Sequence, residues 1–242
     1  MADPVISIVA PTMNEEMAPR IVRELFREFG NGVEVIVVDK SSPAYRKQFA
    51  GSGARVVVQK RKGYEDAIVQ GFRMARGTAV LASIDPDGTY SVRDLRRVVD
   101  EVKSGRYDFV SGSRSGCSNE AMKPYIKLGN RLFALLFDLL FLKSMGDVFS
   151  GSFAMSRKSF ELIRHIDPYQ AGTIFFEMEL AKRGCSMRNL HVSYAPRVGT
   201  KSKLARYKVV YGTKVFAGVL RSRFGESLSL LSGLFRGRLK GD

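Results

Sequence analysis

Asp85 and Asp87, separated only by Pro86 in the stretch Val80–Tyr90 (VLASIDPDGTY), are the residues of this 242-residue chain whose types and spacing most directly suggest chemistry. Two carboxylates one residue apart suit a hard divalent cation, Mg2+ or Mn2+, of the kind held by one or two carboxylates together with substrate phosphates. Asp, Pro and Gly are also ordinary turn formers, so the pair gains meaning from its surroundings. Those surroundings are a short apolar run, Val80–Ile84, which reads as a buried parallel strand. It delivers the pair at its carboxyl end, where open α/β sheets bind ligands.

The neighbouring segments repeat that arrangement. Val5–Ala10 predicts a strand stopped by Pro11, then a helix capped by Asn14, with Glu15 and Glu16 in its first turn and Ile21, Leu25 and Phe29 on its apolar face. Val33–Asp39 predicts a second strand ending in an aspartate, and Lys40-Ser41-Ser42-Pro43 opens a short helix. Arg55–Gln59 reads as a third strand. Tyr64, Ala67, Ile68, Gly71, Phe72 and Ala75 recur at helical spacing, with Gly77 closing that helix. A helix at Val92–Lys103 leads to a strand at Asp108–Ser111. Such alternation argues for a Rossmann-like, mainly parallel sheet covered on both faces. No GxGxxG follows the first strand and no GxxxxGK[ST] occurs, which argues against dinucleotide oxidoreductases and P-loop enzymes. Carboxylates at strand ends suit a nucleotide held through base, ribose and a metal-bridged diphosphate.

Beyond Arg114 the character changes. Lys123–Leu142 predicts a long helix that is apolar nearly all round, either buried or lying at a membrane surface. Ser150–Phe153 reads as a strand entering the far side of the sheet. Thr173–Arg183 reads as a helix whose Glu177 and Glu179 are capping or solvated, and Asn189–Tyr194 as a last strand. A net charge of +15 is concentrated at the end, where residues 201–242 hold ten Lys/Arg against two Asp/Glu. That balance fits nucleic acid, anionic lipid or phosphorylated substrates. Nucleic acid is the weakest of the three, because the basic segments lack interleaved aromatics for stacking bases. Cys117 and Cys185 form no close-spaced motif and too small a set for a disulfide framework. There is no signal-peptide pattern, and the longest apolar window, Leu132–Leu142, is too short to span a bilayer. A cytoplasmic protein, peripherally associated with the membrane, is expected.

Six segments, in order over residues 4–204, resemble the family 2 glycosyltransferases of GT-A fold, and among them the dolichol-phosphate mannose synthase group: APTMNEE, VIVVDK, IDPDGTY, FVSGSR, GDVFSGSF and PRVGTKSKL. The resemblance implies transfer of one hexose, most simply mannose, from a nucleotide sugar (GDP-mannose or UDP-glucose) to a polyprenyl phosphate, with inversion. It implies that Asp85 and Asp87 hold the cation, and that Pro11, Asn14, Glu15 and Asp39 meet base and ribose. Arg197, Ser202 and Lys203 would close over the diphosphate. Arg114, with Arg131, would receive the acceptor phosphate, and Asp147 would steer or deprotonate the acceptor. An ionised phosphate nucleophile needs no strong general base, in keeping with the absence of His165 and His191 from any of these motifs.

Departures from the family's pattern are Lys40 for a second aspartate, Met13 for an aromatic, Thr89 for a Gln and Ala154 for a basic residue. The resemblance also implies a transferase domain over 1–204 and a basic, amphipathic helical extension over 205–242. Members of the group commonly carry C-terminal transmembrane helices. Here the basic tail or a membrane partner subunit would provide contact with the bilayer. Two other readings stay open: a family 2 transferase acting on a sugar hydroxyl, for which Asp147 would be the indispensable base, and a non-catalytic nucleotide- or nucleic-acid-binding protein.

Overall fold

The computed structural model describes residues 5–168, 172–199, 212, 215–220 and 222–224. Seven strands make one sheet: β1 (Ile6–Thr12), β2 (Val33–Asp39), β3 (Arg55–Val58), β4 (Val80–Ser83), β5 (Phe109–Ser113), β6 (Phe153–Ser156) and β7 (Met187–His191), in the order β3-β2-β1-β4-β6-β5-β7. β1, β2, β3 and β4 are mutually parallel, as are β5 and β7, while β6 runs antiparallel to both β4 and β5. The sheet is thus mixed and mainly parallel, as the alternating pattern predicts.

Every residue of β1, β2 and β4 is buried, which is why these strands read as near-continuous apolar runs, interrupted at Ser7 and Glu34, whose side chains hydrogen-bond each other. Helices α1 (Ala18–Phe29) and α4 (Val92–Lys103) cover one face, through Ile21, Val22, Leu25, Leu95, Val98 and Val99. Helices α3 (Tyr64–Met74), α5 (Pro124–Phe141), α6 (Arg157–Ile163) and α7 (Ile174–Ala181) cover the other, around Phe72, Phe153, Phe160 and Phe176. A short helix α2 (Pro43–Arg46) follows β2, capped by the Ser42 hydroxyl, which accepts from the Tyr45 amide.

Several expectations need correcting. β1 does not stop at Pro11 but runs through it to Thr12. The register of β1 against β4 ends at Val9↔Ser83, so the proline, which has no N–H to give, lies past the ladder it would have interrupted. Asn14 does not cap α1: it sits in left-handed backbone (φ 57°), its amide donates to the Ser41 hydroxyl, and the helix starts four residues later with Pro19 in its first turn. Gly77 does not close α3, which ends at Met74. The glycine instead lets the chain press against β1, where a Cβ would lie 2.6 Å from the Ser7 amide nitrogen. Glu177 and Glu179 are buried, not solvated. Glu179 is held by Lys182 (2.6 Å) and Arg183 (2.9 Å), and burial, reinforced by the charge of Asp147, pushes the Glu177 carboxyl well above the usual carboxylate range.

α5 is buried on one side only. Ala134 and Phe137 enter the core, while Leu128, Leu132, Leu135 and Leu139 are 57–74% exposed. The boundary at residue 204 and most of the expected extension lie outside the described residues. Of that extension, residues 215–220 and 222–224 are helical. Val215 and Val219 are buried in the same core as Phe137, and Arg223 Nε donates to the Leu140 carbonyl at 2.9 Å. Among the described residues, no helix is long and apolar enough to cross a membrane.

Candidate active site

β1 has β2 on one side and β4 on the other, so successive crossovers depart in opposite directions and leave a crevice at the strands' carboxyl ends. The loops after β1, β2 and β4 place Glu15, Asp39, Asp85 and Asp87 around it.

Asp85 leaves β4 with its amide bonded to the Gly151 carbonyl (3.1 Å), and its Oδ1 accepts from the Tyr64 hydroxyl (2.5 Å). A Cβ at Gly151 would overlap the Asp85 carboxylate, so only glycine leaves that side chain room. Enclosure of the carboxyl and the negative charge of Asp87 push Asp85 up to about 7. Asp87 is buried, and its Oδ1 accepts from both the amide (3.1 Å) and hydroxyl (2.6 Å) of Thr89. Its Oδ2 lies 3.1 Å from Arg197 NH1, while Arg197 NH2 pairs with Glu15. Among the described residues Arg197 Nε is buried without a partner.

Two carboxylates facing one crevice, with a guanidinium group still owed a hydrogen bond, fit a divalent cation and a diphosphate bound together. Asp85 and Asp87 would hold the cation and Arg197 an oxygen of the diphosphate. No group of three or more metal-ligating side chains occurs among the described residues, so the remaining ligands would come from substrate and water.

Asp39 is wholly buried and accepts from the Ser41 amide (3.0 Å), the Ser41 hydroxyl (2.6 Å) and Arg46 NH1 (3.1 Å). It therefore orders the turn after β2, and touching a ribose would require Ser41 to move aside. Pro11 is buried in β1 beside Val38. The Tyr45 hydroxyl, donating to the Glu15 carbonyl (2.5 Å), joins the loops after β1 and β2. Of the departing residues, Met13 and Lys40 are exposed at the crevice rim, whereas Ala154 is fully buried within β6, in the sheet's core, and makes no contact at a site.

Arg114, expected to be free for an acceptor phosphate, is engaged. Its Nε and NH2 each lie 2.7 Å from an oxygen of Asp147, and its backbone amide donates to the same carboxylate at 3.0 Å. Burial would raise the Asp147 carboxyl, but the charge and hydrogen bonds of Arg114, with the Phe149 amide, outweigh it and hold Asp147 below its ordinary value. The expected base is thus a weak one whose geometry orients Arg114. Tyr194 supports the guanidinium from another side, its ring centroid 5.5 Å away. Arg114 and Asp147 open onto a cleft of about 360 Å³ whose further polar lining includes Lys127, Asn130 and Arg131, with Met122, Ala134, Leu135 and Met145 as its apolar wall. The structure therefore brings Arg114 and Arg131 to one cleft. Ser202 and Lys203 lie outside the described residues.

Sequence reasoning did not single out Tyr64, Tyr90, Gly151 or Tyr194 for the site. Tyr90 packs edge-on against Tyr194 and its hydroxyl accepts from the Gly151 amide (2.8 Å), tying the loop after β4 to the loop before β6. Their only signal was proximity to a motif, or, for Tyr64, a place in a helical repeat.

The chain belongs to glycosyl transferase family 2, whose model matches residues 7–164. It is 29% identical over 197 residues to a dolichyl-phosphate hexose transferase of Haloferax volcanii, covering 80% of this chain and 84% of that one. From the same organism, glycosyltransferase AglJ is 28% identical over 194 residues and the low-salt glycan biosynthesis hexosyltransferase Agl6 is 29% identical over 206. The matches take in 79% and 81% of this chain but only 63% and 49% of those relatives. In fold it is similar to glucosyl-3-phosphoglycerate synthase from Mycobacterium tuberculosis, solved with Mn2+, UDP and phosphoglyceric acid (TM-score 0.70, 21% identity, 90% of this chain and 78% of that one). A mannosyl-3-phosphoglycerate synthase from Rubrobacter xylanophilus superposes with TM-score 0.66 at 18% identity, over 93% of this chain and 75% of that one. The fold is the Rossmann-like GT-A type of these glycosyltransferases.

Proposed function

We propose that this glycosyltransferase moves a hexose, with inversion, from a nucleoside diphosphate sugar to a polyprenyl phosphate. An oxygen of the lipid phosphate attacks the anomeric carbon from the face opposite the diphosphate. The bond from that carbon to the diphosphate breaks, and its electron pair leaves with the nucleoside diphosphate. Asp85 and Asp87 would hold a divalent cation, which would supply positive charge against the leaving diphosphate. Arg197 adds donors to the diphosphate, Arg131 draws in the acceptor phosphate, and Arg114, its Nε and NH2 held by Asp147, meets that phosphate with the remaining edge of its guanidinium.

The observation that carries this reading is the Arg114–Asp147 pair at the floor of a half-apolar cleft. A sugar hydroxyl needs its proton removed, and the carboxylate bonded to Arg114 is held well ionised, which makes a poor base. The second carboxylate lining the cleft, Asp138, is raised by burial and has Oδ1 tied to the Met145 amide. An already ionised phosphate needs an orienting cation instead, and the apolar wall suits a lipid chain. The name of the Haloferax dolichyl-phosphate hexose transferase points the same way.

Radiolabel transfer from GDP-mannose and from UDP-glucose to a short-chain polyprenyl phosphate, with Mg2+ or Mn2+, tests the reading. Metal-dependent labelled lipid from one donor, absent with Asp87→Ala, is expected. Label passing only to 3-phosphoglycerate or to a glycan hydroxyl would replace the acceptor assigned here.

A further inference from the structure

We propose that the outward face of α5 seats the protein on an anionic membrane leaflet, so that the cleft opens directly onto the lipid surface. Leu128, Leu132, Leu135, Leu139 and Leu142 are 60, 58, 57, 74 and 86% exposed, and their spacing of four and three residues draws them into one stripe. Tyr125, 62% exposed, extends it by a turn. Contiguous apolar surface of this kind is rare on a protein that meets only water.

The end of the helix adds a second observation. α5 terminates on Leu142 in left-handed backbone (φ 53°), where glycine is the usual residue, and this leucine is the most exposed of all. The left-handed turn caps the helix through the Leu142 amide and the Asp138 carbonyl, a task for which the exposed leucine side chain is not needed.

Charge selects the partner. Residues 123–143 carry Lys123, Lys127, Arg131 and Lys143 against Asp138 alone, whose Oδ1 is taken by the Met145 amide. A second copy of this face would bring basic residues against basic residues. An anionic leaflet complements them, the leucines entering the acyl boundary while exposed Lys123 and Arg131 reach to the headgroups. Lys127 and Lys143, whose ammonium groups donate to the Cys117 and Cys185 carbonyls, add their charge from behind.

Position links the surface to the chemistry. Leu135 belongs both to the stripe and to the cleft wall, one turn from Arg131, with Arg114 beyond. A lipid phosphate could thus pass from the leaflet to Arg114 along one helix. The choice of a bilayer over a protein partner rests on the lipid-phosphate reading above.

The chain contains no Trp, so Leu132→Trp creates a sole fluorescent reporter on the stripe. With phosphatidylserine-containing vesicles its emission is expected to shift to the blue and to be quenched by brominated lipid, and with phosphatidylcholine alone much less so. The triple variant Leu128→Ser, Leu132→Ser, Leu139→Ser, which spares the cleft, is expected to sediment with anionic vesicles about tenfold less well or worse. Its melting temperature and its turnover of a water-soluble short-chain acceptor should remain those of the parent. Vesicle binding with an unshifted reporter, or a triple variant that binds as the parent does, would overturn the proposal. So would a dimer that the triple substitution dissolves without any change in vesicle binding. Vesicle binding and a shifted reporter without transfer to the short-chain acceptor would leave the seating surface standing and remove the transferase reading instead.

Discussion

Asp85 carries an electrostatic cost that the folded chain bears when the crevice holds no cation. Its carboxyl, pushed up to about 7 by enclosure and by Asp87, lies well above the ordinary value near 3.9 that it has in an unfolded chain. The folded form therefore binds the proton more tightly, a stabilisation that is present below about pH 4 and lost as pH rises through about 7. Above that, ionised Asp85 is a standing penalty. Asp85→Asn is expected to raise the melting temperature of the metal-free protein at pH 8 by a few degrees, on the order of 1 kcal/mol, and to leave it nearly unchanged at pH 4. Mn2+ with a nucleoside diphosphate should raise the parent's melting temperature more at pH 8 than at pH 6. Calorimetry across that pH range checks both. The same substitution is expected to abolish metal-dependent transfer in a radiolabel assay, so stability and activity should move in opposite directions. Asp147 shows the limit of reading residues from their motif. The sequence places an acid near the acceptor, but only the 2.7 Å contacts to Arg114 turn it from base into support.

At the scale of elements, two glycines make steric predictions. Gly151→Ala sets a methyl group against the Asp85 carboxylate, and about a hundredfold loss of turnover with a retained fold is expected, since small displacements of a catalytic group cost that much. Steady-state rates beside circular dichroism measure it. Gly71 lies where α3 crosses β1, and a Cβ there would stand 2.6 Å from both methyls of Val9. Gly71→Ala is expected to cost about 1–3 kcal/mol in a denaturant titration, without altering the metal requirement. Most elements could be read from the chain, because strands buried on both faces leave near-continuous apolar runs and α1, α3 and α4 carry clear periodicity. Ends were harder. β1 extends through Pro11 because its partner β4 has already stopped, and α1 starts late because Pro19, not Asn14, opens it. Both facts depend on neighbours distant in sequence. For α5 the sequence allowed burial or a membrane surface, and the structure shows one side in the core and the other bare, a division set by where the sheet lies.

At the scale of the molecule, the motif order in the chain was sufficient to identify the family, because APTMNEE, VIVVDK, IDPDGTY and FVSGSR end parallel strands and GDVFSGSF leads into the antiparallel β6, so the sheet gathers them at one edge. What it did not reveal was the internal wiring: Tyr64 on Asp85, Tyr90 on Gly151 and Tyr194 on Arg114 join segments up to 80 residues apart. A nucleoside diphosphate with Mn2+, at a hundred times its dissociation constant, is expected to stabilise the whole fold by about 2.7 kcal/mol. That corresponds to roughly 5–10 °C in a thermal-shift assay, and comparing GDP with UDP identifies the donor base.

Arg197 gives the crevice its own counter-ion, bridging Glu15 and Asp87. On the proposed function, filling the donor site would exchange one positive group for another, the guanidinium being handed from carboxylate to phosphate. Three residues earlier in the same segment, Tyr194 underlies Arg114, so this exchange would take place next to the residue proposed to meet the acceptor. The two substrates should accordingly enter in a fixed sequence, donor first. In steady-state kinetics a non-transferable acceptor analogue would then inhibit uncompetitively against the nucleotide sugar, whereas random entry would give a noncompetitive or mixed pattern.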